Sequence, residues 1–274
     1  MKIGMLDYDL NEWHAENYPD FFRRFGDGRA EVSYVYAIID GEKKNRRQWA
    51  EEHGVTLCST IEEIVARSDG LIVLSPDNPE FHPVLSEQAL ASGKRVFIDK
   101  TFSSDYAEAK AMFDRADAHG TPCYSASALC FADEYKPLIG KADAVSSIGV
   151  AAYPNYAVHQ IDPILSVMRE KADCVWTDEP GERFNIVFES GRAADFRMNQ
   201  SHYAMTVTHG GKTSSVTLKK DFWSNCIREM SRFFTTGELP IDHDQTLEAM
   251  AIREAGLKAM ERPGEKIYLK EIRG

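Results

Sequence analysis

A chain of 274 residues, 43% of them hydrophobic, has room for one large domain or two ordinary ones with buried cores. Its formal charge of −11 argues against nucleic acid and anionic membranes as partners, because both need a basic surface; the basic stretches at 43–47 (KKNRR) and at Lys219-Lys220 are short and isolated, as solvated surface commonly is. No apolar run approaches the roughly 20 residues of a membrane span, the start lacks the basic and apolar regions of a secretion signal, and cysteines 58, 123, 130, 174 and 226 show neither C-x-x-C nor Cys/His metal spacing, so a soluble cytoplasmic protein with reduced thiols and no metal is expected.

The chain opens with a short apolar strand, Lys2-Ile3-Gly4-Met5-Leu6, followed by WHAENYPDFFRRF with aromatic residues at helical spacing. AEVSYVYAIID reads as a strand ending on Asp40, and KNRRQWAEEHG as a helix closed by Gly54. TIEEIVARSDG is helical, GLIVLSP is a strand buried on both faces, HPVLSEQALASG is a helix, KRVFIDK a strand, SSDYAEAKAMFDRADAHG a helix, and TPCYSAS a strand. Strand and helix alternate without interruption to about residue 128. That rhythm predicts an α/β fold with a doubly wound parallel sheet of Rossmann type over residues 1–125.

From about residue 140 the period changes. DAVSSIGVAAY, RFNIVFES, AADFRMN, AMTVTHG and SSVTLKK alternate or pair around ESGR and HGGK turns, which predicts a mostly antiparallel sheet. HQIDPILSVMRE, DFWSNCIREMSRFF and DQTLEAMAIREAGLKAME read as helices, with Pro163 near the first turn of the first, and KIYLKEI as a final strand near the sheet edge. Residues 126–274 are thus expected to form an α+β domain with helices on one face of its sheet.

A Rossmann unit normally joins its first strand and helix through G-x-G-x-x-G, which lets a pyrophosphate rest on the helix N-terminus. Here that turn carries Asp7, Asp9 and Glu12. Carboxylates at a helix start are satisfied by its free N–H groups and its positive end, so Asp7 and Asp9 are expected to cap the helix and oppose a cofactor's phosphates. Asp7, Asp9 and His14 as metal ligands are a generic alternative.

The stretch SGKRVFIDKTFSSDYAEAKAMFDRADAHGTPCYSASA resembles the A-G-K-x-V-x-x-E-K-P segment of the Gfo/Idh/MocA family, the glucose-fructose oxidoreductase and inositol dehydrogenase-like enzymes. SPDNPEFH resembles that family's T-P-N-x-x-H, with Ser75 at its start and Pro76, Asn78 and His82 in register, and CIREMSRFFTTGELPIDHDQTLEAMAIREAGLKA resembles its closing helix, T-G-x-x-P loop and long last helix. The resemblance implies a cofactor side made of Asp7, Asp9, Asp40, Ser75, Pro76, Asn78, His82 and Asp99. It also implies that Lys100, at the position of the E-K-P lysine, orients or polarises the reacting oxygen. Asp99 stands where the family has Glu, and Thr101 where it has Pro. NYAVHQIDPIL resembles D-x-x-x-H-x-x-D, which makes His159 the general base and puts Asn155 where the family has an acid. An amide orients a hydroxyl but takes up no proton. Asp162 keeps the following acid and reads as structural, and the small residues Ser125, Ala126, Ser127 and Ala128 allow close approach of a ligand or close packing.

The expected function is NAD(P)-dependent hydride transfer between a nicotinamide and a carbinol carbon of a sugar, polyol or related hydroxylated small molecule. Asp40 favours NAD, and nearby Lys43, Lys44 and Arg46 leave NADP open. The partners expected are that substrate and further copies of the chain. Two rivals are a non-catalytic relative that binds or regulates with weakened or lost cofactor binding, and a lyase or hydrolase that uses transient oxidation.

Overall fold

The computed structural model describes residues 1–218 and 222–274. Lys219-Lys220, read as surface, and Asp221, read as a helix start, lie outside the described residues. The chain divides into two compact units. Unit 1 comprises residues 1–104, 108–126 and 224–242, and unit 2 comprises 105–107, 127–223 and 243–274.

Unit 1 begins with β1 (Lys2–Asp7), whose buried residues run continuously from Ile3 to Asp7, and α1 (Trp13–Phe25), which buries Ala15, Tyr18, Pro19 and Phe22. There follow β2 (Glu31–Ala37), α2 (Arg46–His53), β3 (Thr56–Leu57), α3 (Ile61–Arg67), β4 (Gly70–Val73), α4 (His82–Leu90), β5 (Arg95–Ile98), α5 (Tyr106–Ala118) and β6 (Cys123–Tyr124). The order β3-β2-β1-β4-β5-β6, parallel at every pairing, is the doubly wound arrangement predicted. The chain reverses direction across the sheet at β1 and β4, and the crevice beyond their carboxyl ends is where such sheets take ligands.

Local signals account for these boundaries. Asn45 and Gln48 form a capping box at the start of α2, which ends on Gly54 in the left-handed conformation (φ 68°). Gly4 lets β1 approach α3, since a Cβ there would lie 2.3 Å from Ser68 Oγ and 2.8 Å from Ile64 Cγ1. The strand carrying Asp40 in the sequence reading stops three residues earlier, at Ala37. Residues 224–242, which the sequence reading put in the second domain, group with unit 1. They carry most of α8 (Phe222–Thr236), whose Phe233 sits edge-on to Tyr124 and whose Phe234 contacts Phe22.

Unit 2 contains β7 (Ala144–Ile148), the short α6 (Tyr153–Tyr156), α7 (Val158–Met168), β8 (Ala172–Glu179), β9 (Arg183–Phe188), β10 (Ala193–Arg197), β11 (Ala204–His209), β12 (Lys212–Thr217), α9 (His243–Glu261), β13 (Ile267–Tyr268) and α10 (Lys270–Arg273). Its sheet runs β12-β11-β7-β10-β9-β8-β13, antiparallel except for the parallel pair β7 and β10, so the mostly antiparallel prediction holds. The strand β8 is absent from the sequence reading. β13 does lie at the sheet edge, but KIYLKEI is extended for only two residues before α10 begins. Pro163 sits inside α7 rather than in its first turn, because α6 precedes it as a separate helical turn. Phe184, Ile186 and Phe188 of β9 alternate into the core with Ala194 and Phe196 of β10, and the Tyr153 ring of α6 packs against Phe184 and Phe196.

Among the described residues no helix is long and apolar enough to cross a membrane, and no group of three or more His, Cys, Asp or Glu side chains could hold a metal ion. All five cysteines are free, and all but the half-buried Cys130 are buried.

Candidate functional site

The three acidic residues that replace the glycines of the first turn have three different occupations. Asp7, the last residue of β1, is fully buried; its Oδ1 accepts the Tyr8 amide at 2.7 Å and its Oδ2 has no hydrogen-bond partner among the described residues. Burial, with the neighbouring Glu12 charge, holds its pKa well above the ordinary carboxylate range. Asp9 accepts from the Asn11 amide (2.9 Å) and from Asn11 Nδ2 (3.1 Å).

Glu12 is the N-cap of α1. Its Oε2 accepts the His14 amide at 2.6 Å and its Oε1 the Ala15 amide at 2.5 Å. The sequence expectation is therefore corrected on one point: the helix start is held by a carboxylate, but by Glu12 and not by Asp7 or Asp9. The physical reason is reach, since Glu12 is the residue preceding the helix and its longer side chain folds back over the first turn.

Two further contacts close over this turn. Tyr8 stacks on Phe81, ring centroids 4.3 Å apart at 27°, which joins the turn after β1 to the 3-10 turn Pro79–Phe81 that follows β4. Asn11 bridges to the loop after β2: its Oδ1 accepts the amides of Lys43 (3.1 Å) and Lys44 (2.8 Å), and its Nδ2 donates to the Lys44 carbonyl (2.9 Å). A Cβ on Gly41 would lie 1.8 Å from Asn11 Nδ2, so no space is left there.

Asp40 lies exposed beyond β2. It accepts the Arg46 amide at 2.9 Å and Arg46 Nε at 3.0 Å, and these bonds hold its pKa below the usual range. Ser75, buried at φ 86°, donates its hydroxyl to the Asn78 carbonyl (3.2 Å), while Asn78 Nδ2 donates to Glu80. Lys100 is 4% exposed, two residues past β5, and its Nζ donates to the Pro76 carbonyl at 3.0 Å; the peptide between Lys100 and Thr101 is cis. Asp99 is buried beside it. Burial alone would lower the pKa of His14, but the charges of Asp99 and Glu12 outweigh it and raise it. His82 is fully buried with its Nδ1 against the Phe102 carbonyl (3.1 Å), and burial lowers its pKa. It braces the turn after Lys100 and is not exposed to a ligand in this arrangement.

In unit 2, His159 lies on the first turn of α7 and Asn155 on α6 just before it, half-buried like the histidine. His159 Nδ1 is 2.7 Å from Ser127 Oγ, and the Ser127 amide donates to Asp162 Oδ2 at 2.7 Å. Burial pushes the Asp162 carboxyl up to about 7, despite the Ser127 amide. The rings of Tyr156 and Tyr203 lie 5.4 and 5.9 Å from the imidazole. Ser127 was legible only as one of several small residues; its role depends on a histidine far along the chain. Glu12, Tyr8 and Asn11 left no clearer trace: glutamate is an uncommon cap, and the partners of the other two are remote in sequence.

Residues 12–127 match the model of the GFO_IDH_MocA oxidoreductase family, NAD-binding Rossmann fold. That match covers less than half of the chain, and over this segment the chain is similar to the family. A probable dehydrogenase from Thermotoga maritima is similar with a TM-score of 0.83 at 15% identity, over 99% of this chain and 100% of that one. A myo-inositol 2-dehydrogenase from Lactobacillus plantarum gives 0.79 at 14%, over 98% and 99%. A scyllo-inositol dehydrogenase from Lactobacillus casei, with bound NAD(H) and scyllo-inositol, gives 0.78 at 14%, over 98% and 99%. At such identities the likeness is one of fold. No curated protein matches the sequence.

A dinucleotide seated as in other Rossmann units would need the His14 and Ala15 amides that Glu12 holds, the crevice that Tyr8 and Phe81 span, and the space that Asn11 fills. The turn as it stands does not fit that group.

Proposed function

We propose that this protein binds a sugar, polyol or related hydroxylated small molecule and that its nicotinamide binding is weakened or lost. The observation that carries the reading is the Glu12 carboxylate on the first amides of α1, in the place of a phosphate. The substrate class is supported by the inositol dehydrogenases among the structures of similar fold and by a half-buried histidine flanked by tyrosines, a setting suited to a ligand with hydroxyl groups.

A second reading is favoured by the retention of Lys100 and His159: an NAD(P)-dependent oxidoreductase in which Lys100 orients the reacting oxygen, His159 handles its proton and Asn155 orients a hydroxyl. In that reading Asp40 inclines the choice to NAD, and Asp7, Asp9, Ser75, Pro76, Asn78, His82 and Asp99 border the cofactor. A cytoplasmic location and assembly through the sheet of unit 2 belong to both readings.

Fluorescence titration with NADH and with NADPH, beside thermal-shift titration with a panel of polyols and sugars, separates the two. Stabilisation by a polyol without nucleotide binding supports the first reading. Tight NADH or NADPH binding with turnover of a polyol overturns it in favour of the second.

A further inference from the structure

The proton that Ser127 carries has one place to go. Ser127 is fully buried. Its Oγ accepts the Leu129 amide at 3.2 Å, at the start of the 3-10 turn Ala128–Phe131, and among the described residues its only other hydrogen-bond neighbour is His159 Nδ1 at 2.7 Å. The Leu129 amide can only donate. If Nδ1 carried a hydrogen and donated as well, the serine hydroxyl would be left with two donors aimed at it and no acceptor for its own proton, a buried unsatisfied donor of the kind folded proteins rarely tolerate. We infer that Ser127 donates to His159 Nδ1 and so fixes the neutral imidazole with its proton on Nε2, which makes His159 a hydrogen-bond donor, not a general base, toward a ligand.

Asp162 completes the device as a positioning residue. It lies one turn beyond His159 on α7, and by accepting the Ser127 amide at 2.7 Å it ties the serine to the helix that carries the ring. The arrangement suits a ligand oxygen that accepts, such as a carbonyl or the lone pair of a hydroxyl. Taking a proton from an alcohol would first require the Ser127 hydroxyl to rotate away from Nδ1. The ligand-facing half of the inference rests on the proposed function; the tautomer does not.

The test is long-range proton–nitrogen correlation NMR on protein labelled with 15N-histidine, with the His159 signals assigned by their loss in His159→Gln, at a pH where the ring is neutral. The expected result is a protonated Nε2 and a bare Nδ1 in the unmodified protein, and a shift toward the other tautomer or a mixture in Ser127→Ala. A protonated Nδ1 in the unmodified protein, or an unchanged Nε2–H pattern in folded Ser127→Ala, overturns the inference. If Ser127→Ala does not fold, the unmodified protein decides alone. Failure of every polyol to bind would sink the proposed function and leave the tautomer result standing.

Discussion

Tyr8 lies flat on Phe81, their centroids 4.3 Å apart, so an aromatic pair spans the point where the sheet of unit 1 changes direction. Beneath it the side chains of the first turn satisfy one another: Asp9 with Asn11, Glu12 with the helix amides. This turn lacks glycine and has the contacts of a finished structure.

Glu12→Gly should tighten NAD(H) binding, because it frees two amides and removes a charge. At about 4 Å and an effective dielectric near 20, carboxylate–phosphate repulsion is worth on the order of 4 kcal/mol, or about three powers of ten in affinity. Loss of the cap side chain lowers stability by roughly a few tenths of a kcal/mol, since glycine is itself an accepted cap residue. Asp9→Gly should give no comparable gain, since Asp9 holds Asn11 and not the helix. Calorimetry at equal ionic strength compares the variants; equal gains from both would show that Glu12 is not the obstacle.

Asn11→Ala should loosen the loop after β2. It removes bonds to Lys43, Lys44 and Asp9, a loss of up to about 4 kcal/mol at roughly 1 kcal/mol for a typical bond. Hydrogen exchange at the Lys43 and Lys44 amides should accelerate well before exchange in β1; uniform change across unit 1 would contradict the local bridge.

Asp162 ties stability to pH. Its folded pKa, about 7, lies above the ordinary 3.8, so the folded state binds the proton more tightly. The contribution is complete below about pH 4 and is lost as pH rises through 7, a total on the order of 4 kcal/mol. Asp162→Asn, which keeps an acceptor for the Ser127 amide, should equal or trail the unmodified protein near pH 4 and exceed it at pH 8. Urea unfolding at the two pH values measures this, and a constant difference would mean Asp162 is ionised in the folded state throughout.

Gly256→Ala should disturb the His159 region from behind. A Cβ there would lie 1.8 Å from Tyr153 Oη, which donates to the Arg253 carbonyl (3.1 Å) while its ring packs on Phe184 at 4.0 Å. Tyr153 opens α6, which carries Asn155, so displacing the ring moves that turn. Overpacking of this kind costs roughly 1–3 kcal/mol. Denaturant unfolding should show the loss, together with shifted His159 signals; an unchanged midpoint would mean the ring has room that the packing does not suggest.

The parallel half of the fold was legible because its strands are continuous apolar runs and its helices carry local stop signals such as Gly54. β8 was not, and its register explains why: irregularities between Ala172 and Cys174 and between Trp176 and Glu179 break the two-residue alternation that marks a strand. β3, at two residues, is too short to have a period. Within the candidate site, Lys100 and His159 could be picked out by motif. The side chains that decide what the turn and the histidine can do, Glu12, Asn11 and Ser127, act through backbone amides and remote loops. Such contacts leave no pattern in residue order.

The parallel pairing of β7 with β10 sets Ala144 beside Ala193 while α6, α7, β8 and β9 intervene. The helix bearing His159 therefore belongs to a long crossover, and the sheet centre cannot close until that whole stretch has been gathered. Contacts so distant along the chain slow assembly, because loop entropy is lost before the pairing rewards it. In refolding, the amides of β7 and β10 should gain exchange protection later than those of the β11–β12 hairpin.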